Sequence, residues 1–179
     1  LSVIIPAYNE EDNLRRGSLN VVLDYLKKQK FSWEVIIVND GSTDDTVNLL
    51  KKHPVKVINN PHQGKAATVI AGALAAIGDI ILFSDMDQAT PISEFDKFLP
   101  HFKSGNDIII SSRSGRKGAP FFRLVLAYCN VILRNIILGL PYKDTQCGFK
   151  AFSREAAQRI FKIMLSFRPP KTISGPSVD

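Results

Sequence analysis

Sulphur is scarce in this chain: 179 residues hold two cysteines and two methionines. Cysteines as far apart as Cys129 and Cys147 supply neither a disulfide framework nor a zinc-ligand spacing, so a reducing compartment is the expectation. An unbroken apolar run is also missing. The most apolar stretch, Phe121 to Leu140, carries Arg123, Arg134 and two asparagines, which argues against a membrane span. No signal peptide and no internal repeat stands out. Lys and Arg outnumber Asp and Glu by 23 to 17, yet they form no dense run, so nucleic acid is not the expected partner. A net charge of +6 suits a phosphorylated ligand or an anionic membrane surface. The start at Leu1, directly in a strand-like run, leads us to expect a piece of a longer protein, with any membrane helix outside it.

What is present is enough for one domain. A hydrophobic content of 45% builds a real core at this length, and a charged fraction of 22% excludes wholesale disorder. Strand-like runs cover Leu1 to Ala7, Trp33 to Val38, Val55 to Ile58, Asp79 to Ser84, Asp107 to Ser111 and Gln146 to Phe152. Helical spacing marks Glu10 to Lys28, weakened at Gly17-Ser18, then a helix ending near Lys52, then Lys65 to Ile77, Ser93 to Lys103, Phe121 to Leu138 and Ser153 to Met164. Ser42 or Thr43 is expected to cap the second helix, with Asp44 and Asp45 in its first turn, and Ser93 to cap the fourth. Strands alternate with helices, and several strands are apolar throughout, so both their faces are buried. This predicts an α/β domain over residues 1–165, with a mostly parallel central sheet and helices on both faces, followed by an irregular tail, 166–179.

Ligands of such sheets bind at the carboxyl ends of the strands, and the polar clusters lie there: Pro6-Ala7-Tyr8-Asn9-Glu10, Asn39-Asp40-Gly41-Ser42, Asp85-Met86-Asp87 and Ser111-Ser112-Arg113. In extended backbone, residues two apart project to one side, so Asp85 and Asp87 can face one ligand. Two carboxylates so placed repel unless one is protonated or a cation lies between them. A hard divalent ion, Mg²⁺ or Mn²⁺, fits; two solvated loop acids are the plainer alternative. Asp40 can accept an N–H from a base or a ribose hydroxyl, and it can equally serve as a turn residue before Gly41. His62-Gln63-Gly64-Lys65 is not a P-loop, since Asn59 and Ala66 stand where Gly and Ser or Thr are required. Lys65 at a helix start can still meet phosphate. His62 reads as a loop residue. Arg113, Arg116, Lys117 and Arg123 border an apolar segment and suit a lipid phosphate or a solvated loop. Cys147, without a histidine partner in sequence, reads as a small buried residue, beside Gly148, which permits close backbone approach.

Six segments in order, SVIIPAYNE, VIIVNDGSTDDT, NPHQGKAATVIAG, FSDMDQATP, IIISSRS and LPYKDTQCGFKAF, make the chain resemble the family 2 glycosyltransferases of GT-A fold. Within them it is similar to the polyprenyl-phosphate sugar synthases, and DMDQATPISEF with DTQCGFKAF most resembles the dolichyl-phosphate glucosyltransferase branch. The resemblance covers most of residues 1 to 160. It implies that Pro6, Ala7, Tyr8 and Glu10 border the nucleotide and that Asp40 meets the base. It places Lys65 near the base or the diphosphate, and has Asp85 and Asp87 hold the diphosphate through Mg²⁺ or Mn²⁺. Arg113, with Arg116, Lys117 and Arg123, would meet the acceptor phosphate.

The implied activity is inverting transfer of a hexose, glucose from UDP-glucose, onto a polyprenyl or dolichyl phosphate. It would take place at the cytoplasmic face of a membrane, the bacterial inner membrane or the endoplasmic reticulum. Ala89 stands where mannose-specific relatives carry a Gln metal ligand, which argues against mannose. The single tryptophan, Trp33, lies early in the chain and argues against processive polysaccharide synthases. The segment Ser114 to Pro120 is short for the family, and the tail LSFRPPKTISGPSVD reads as two family segments joined with residues missing between them. Another nucleotide sugar such as GDP-mannose or UDP-GlcNAc, another acceptor, or a non-catalytic nucleotide-sugar-binding module are the competing readings. The sequence does not specify an oligomeric state.

Overall fold

A computed structural model of the protein describes residues 1–112 and 147–166. In it the apolar runs SVIIPA and EVIIVN become β1 (Ser2–Ala7) and β2 (Glu34–Asn39), buried over almost their whole length. With β3 (Lys56–Asn59), β4 (Ile80–Phe83), β5 (Ile108–Ile110) and β6 (Lys150–Ser153) they form one sheet in the order β3-β2-β1-β4-β6-β5. β1 pairs in parallel with both β2 and β4, and β2 with β3. β6 runs antiparallel between β4 and β5. The expected mostly parallel α/β sheet is therefore present, with one reversed strand that periodicity could not reveal, because a buried apolar run carries no sign of its direction.

The helices are α1 (Glu11–Arg15), α2 (Ser18–Lys27), α3 (Thr46–Leu50), α4 (Lys65–Ala75), α5 (Leu99–Lys103) and α6 (Arg154–Ser166), with a 3₁₀ segment at Ile92–Lys97. They cover both faces. On one face Val3, Ile5 and Ile37 meet Leu14, Leu19, Val22, Leu23 and Leu26 of α1 and α2, together with Phe95 and Phe149. Fully buried leucines such as Leu19 and Leu26 each contribute roughly 1.5–3 kcal/mol. On the other face Ile4, Ile36 and Val38 meet Ile70 and Ala73 of α4, while Ile81 and Phe83 join a cluster with Ala157 and Phe161 of α6. α4 lies so close to β1 that a Cβ on Gly72 would overlap Ile4 Cγ2 and stand 3.0 Å from Val38 Cγ2.

Several local expectations are corrected. The helix expected over Glu10 to Lys28 is broken in two, because Gly17 takes a left-handed φ of 83°, which glycine adopts at no steric cost. Ser42 and Thr43 do not cap α3, and Asp44 and Asp45 precede it: Asp45 is its N-cap residue and makes no side-chain capping bond. The Ser42 hydroxyl instead accepts the Asn9 N–H, and the Thr43 N–H and hydroxyl go to Asn9 Oδ1. Ser93 caps nothing, and its segment is a 3₁₀ turn followed by α5. Pro100 has no N–H to continue a helical ladder across that junction. The last strand pairs only from Lys150, and the chain before it, Cys147 to Phe149, is irregular. The helix expected over Phe121 to Leu138 and the tail beyond Ser166 lie outside the described residues.

Candidate active site

The strand order turns back at β1: β2 and β3 follow on one side, β4 on the other. β1 stays paired with β2 as far as Ala7 opposite Asn39, whereas its ladder with β4 ends at Ile4 opposite Phe83. One last bond, Ser84 N–H to the Ile4 carbonyl, follows at 3.1 Å. Pro6 has no N–H with which to extend the pairing. The two strand ends separate there, and a cavity of about 600 Å³ opens at this switch point, where open α/β sheets bind their ligands. Pro6, Ala7, Tyr8, Glu10 and Asn13 line one side, Asp85, Met86 and Asp87 another, and Asp40, His62, Gly64, Lys65 and Thr68 the rest. All of the expected nucleotide and metal residues, Pro6, Ala7, Tyr8, Glu10, Asp40, Lys65, Asp85 and Asp87, come together on its wall. Arg113, Arg116, Lys117 and Arg123 lie outside the described residues.

Asp85 and Asp87 share that wall for a reason other than the one expected. β4 ends at Phe83, and the chain turns at Met86 and Asp87 rather than staying extended. Gln88, at φ 53°, closes the turn: its N–H donates to the Asp85 carbonyl at 3.3 Å, and its side-chain Nε2 donates to the same carbonyl at 2.8 Å and to Ser84 Oγ at 3.0 Å. Met86 is buried beneath. Asp85 Oδ1 accepts from Lys65 Nζ at 2.6 Å. Asp87 is exposed, with Oδ1 accepting the Ala89 N–H at 3.0 Å.

Glu10 completes the acidic side. Burial is the main reason its carboxyl sits above the ordinary value of 4.5, and the charges of Asp87 and Asp85 add to the rise, against the Asn13 hydrogen bond and Lys65. Asp85 and Asp87 offer hard carboxylate oxygens of the kind that suits Mg²⁺ or Mn²⁺, and Glu10 adds to the negative charge on the same side. Among the described residues no three of His, Cys, Asp and Glu converge closely enough to hold an ion alone. A divalent ion here would complete its shell with water or phosphate oxygens.

Asp40 lines the cavity, yet its carboxylate is committed to the neighbouring loop. It is 3% exposed; Oδ1 accepts the Gln63 N–H at 2.9 Å and Oδ2 the Gly64 N–H at 2.8 Å. His62 Nδ1 lies 3.0 Å from both the Asp40 carbonyl and Oδ2. Both are acceptors, so Nδ1 carries the proton. The imidazole packs on the Tyr8 ring, centroids 4.4 Å apart. His62 lies in a loop, as its sequence context implies; its contact with Tyr8 is a long-range one that spacing does not encode. Asn13, Thr68 and Met86 were missed for the same reason, although Asn13 has a local signal, lying three residues after Glu10 in a helix and donating to it at 2.6 Å. Asn39 bonds across the strand ends, its Nδ2 donating to Asn59 Oδ1 at 3.0 Å, a bond that an Asp at this position could not donate.

The family model described as glycosyl transferase family 2 matches residues 2–161. The chain belongs to this family. Dolichyl-phosphate beta-glucosyltransferase ALG5A of Trichomonas vaginalis is 37% identical over 90% of this chain and 55% of its own length. Dolichyl-phosphate beta-glucosyltransferase of Drosophila melanogaster is 36% identical over 90% of this chain and 56% of its own. The chain thus spans about half the length of the curated relatives it matches. Among solved structures, glucosyl-3-phosphoglycerate synthase from Mycobacterium tuberculosis, crystallised with Mn²⁺, UDP-glucose and phosphoglyceric acid, superposes with a TM-score of 0.64. Identity to it is 25%, over 86% of this chain and 56% of that one. The sheet described above is thus the GT-A fold of a family 2 glycosyltransferase.

Proposed function

We propose that this chain is the donor-binding domain of an inverting, metal-dependent glucosyltransferase that moves glucose from UDP-glucose onto a polyprenyl phosphate of the dolichyl type. The observation that carries this reading is the meeting of Asp85, Asp87 and Glu10 with Pro6, Ala7 and Tyr8 around one cavity at the sheet's switch point. The likeness to dolichyl-phosphate glucosyltransferases supports the glucose and lipid parts, and the neighbour crystallised with Mn²⁺ and UDP-glucose supports the donor.

Tyr8 and the His62 ring packed on it offer an aromatic surface for the base. Asp40 shapes that end of the cavity by holding the loop 62–64. Asp87, exposed and directed to the cavity, is the residue to hold a divalent ion, with Asp85 beside it. Such an ion supplies neutralisation of the charge that builds on the leaving diphosphate. Lys65 sits at the start of α4 and adds positive charge on the same side.

In the reaction an oxygen of the acceptor phosphate attacks the anomeric carbon, the bond from that carbon to the diphosphate oxygen breaks, UDP departs and the configuration inverts. A phosphate monoester is largely dianionic near neutral pH, so no strong general base is required, and positioning and charge stabilisation carry the rate. Arg113, Arg116, Lys117 and Arg123 belong to this reading as the acceptor-phosphate group. Among the described residues no helix is long and apolar enough to cross a membrane; a lipid acceptor places the reaction at a membrane surface, by this reading the cytoplasmic one.

The test is transfer of labelled glucose from UDP-glucose to dolichyl phosphate with and without Mn²⁺, for the wild type and Asp87→Ala. Metal-dependent transfer that is lost in the variant, at an unfolding temperature within a few degrees of wild type, is expected. Unchanged turnover in Asp87→Ala would refute the metal role, and transfer from GDP-mannose alone would refute the donor.

A further inference from the structure

Gly148 lies in the segment Gln146-Cys147-Gly148-Phe149-Lys150, to which the reading above gives no task. The glycine is not there for its backbone freedom: the described glycines with positive φ are Gly17, Gly41, Gly64 and Gly105, so the conformation at 148 admits an L residue. Space is what it provides. A Cβ built on Gly148 would overlap Asp85 Oδ2 and stand 2.8 Å from Asp85 Cγ and 3.0 Å from Oδ1. All three atoms belong to one carboxylate, so the Asp85 side chain lies directly against the glycine.

The segment cannot retreat. Cys147 and Phe149 on either side are buried, and Phe149 packs edge-on to Phe98 with centroids 5.4 Å apart. The Phe149 carbonyl accepts the Ser111 N–H at 3.1 Å. Lys65 Nζ holds Oδ1 at 2.6 Å, and Gln88 holds the Asp85 carbonyl. The carboxylate therefore touches both the Lys65 ammonium and the bare Cα of Gly148.

We propose that Gly148 is a positioning residue for the donor site, setting the orientation of the Asp85 carboxylate by the absence of its own side chain. The proposal rests on the reading of Asp85 as part of the metal–diphosphate site. A methyl group at 148 meets the movable end of a side chain, so the carboxylate gives way and the fold survives. Partners that orient the groups around a metal typically cost 10–100-fold when altered.

The experiment is a double-mutant cycle in the intact protein with Gly148→Ala, Asp85→Ala and the double variant. Two quantities are read: UDP affinity in Mn²⁺ by calorimetry, and the ligand-free unfolding temperature. Gly148→Ala should lose roughly 10–100-fold in UDP affinity, as should Asp85→Ala. In the Asp85→Ala background the second change should cost nothing further in either quantity, because the space is then open and the partner gone. Wild-type affinity in Gly148→Ala, or an equal loss in both backgrounds, overturns the proposal. If Gly148→Ala alone fails to fold, a folded double variant supports the contact and an unfolded one overturns it. Failure of the wild type to bind UDP in Mn²⁺ overturns the donor reading instead, and the ligand-free cycle still decides whether Gly148 acts through Asp85.

Discussion

Replacing Asp40 by asparagine separates two roles that the sequence leaves merged, base recognition and loop anchoring. The buried carboxylate receives backbone N–H groups from Gln63 at 2.9 Å and Gly64 at 2.8 Å, one on each oxygen. A hydrogen bond to a charged group contributes roughly 1.5–3 kcal/mol. Asn keeps one acceptor and, whichever way its amide is turned, points an NH₂ at the other N–H. One bond is lost and one buried donor is orphaned, which costs about 2–4 kcal/mol in all. In a chain of this size each kcal/mol moves the unfolding temperature by roughly 2–4 °C, so Asp40→Asn should unfold on the order of 5–15 °C lower with no nucleotide present. Thermal unfolding by circular dichroism, paired with a UDP titration of the same samples, reads both roles. An unfolding temperature equal to wild type, together with weakened UDP binding, would show that Asp40 serves the nucleotide alone and that the loop needs no such anchor.

Glu10, held above its ordinary 4.5 mainly by burial, binds more protons folded than unfolded once pH passes that value. Stability is therefore lost as pH rises from 4.5 through the raised folded value. Glu10→Gln should match wild type below that window and unfold at a higher temperature above it; equal melting temperatures at pH 8 would contradict this. Gly72→Ala sets a methyl on Ile4 Cγ2 beneath α4, an overpacking cost of roughly 1–3 kcal/mol against about 1 kcal/mol gained in helix propensity. A net fall in denaturant midpoint is expected, and a rise would show that α4 can lift from the sheet freely.

Much of this protein is legible in the chain itself. Runs such as SVIIPA and EVIIVN have apolar residues at every step, so both faces must be covered, and that alone implies a buried, mostly parallel sheet with helices on either side. The polar clusters that follow the buried runs fall at strand ends, where the cavity opens, while the roles expected for Pro6, Ala7, Tyr8, Glu10 and Lys65 came from the family resemblance, and Lys65 joins them from the start of α4. Tertiary structure decided the rest, because the deciding contacts join residues far apart in sequence. The direction of β6 depends on its pairing with β4. Asp85 and Asp87 share a wall through a turn braced by Gln88, not through strand alternation. Asp40 is engaged by a loop more than twenty residues away, and His62 packs on Tyr8 in the cavity wall. Gly148 shows the limit most plainly: in sequence it is one glycine in an odd pentapeptide, and only the folded chain sets its missing side chain against Asp85, sixty-three residues earlier.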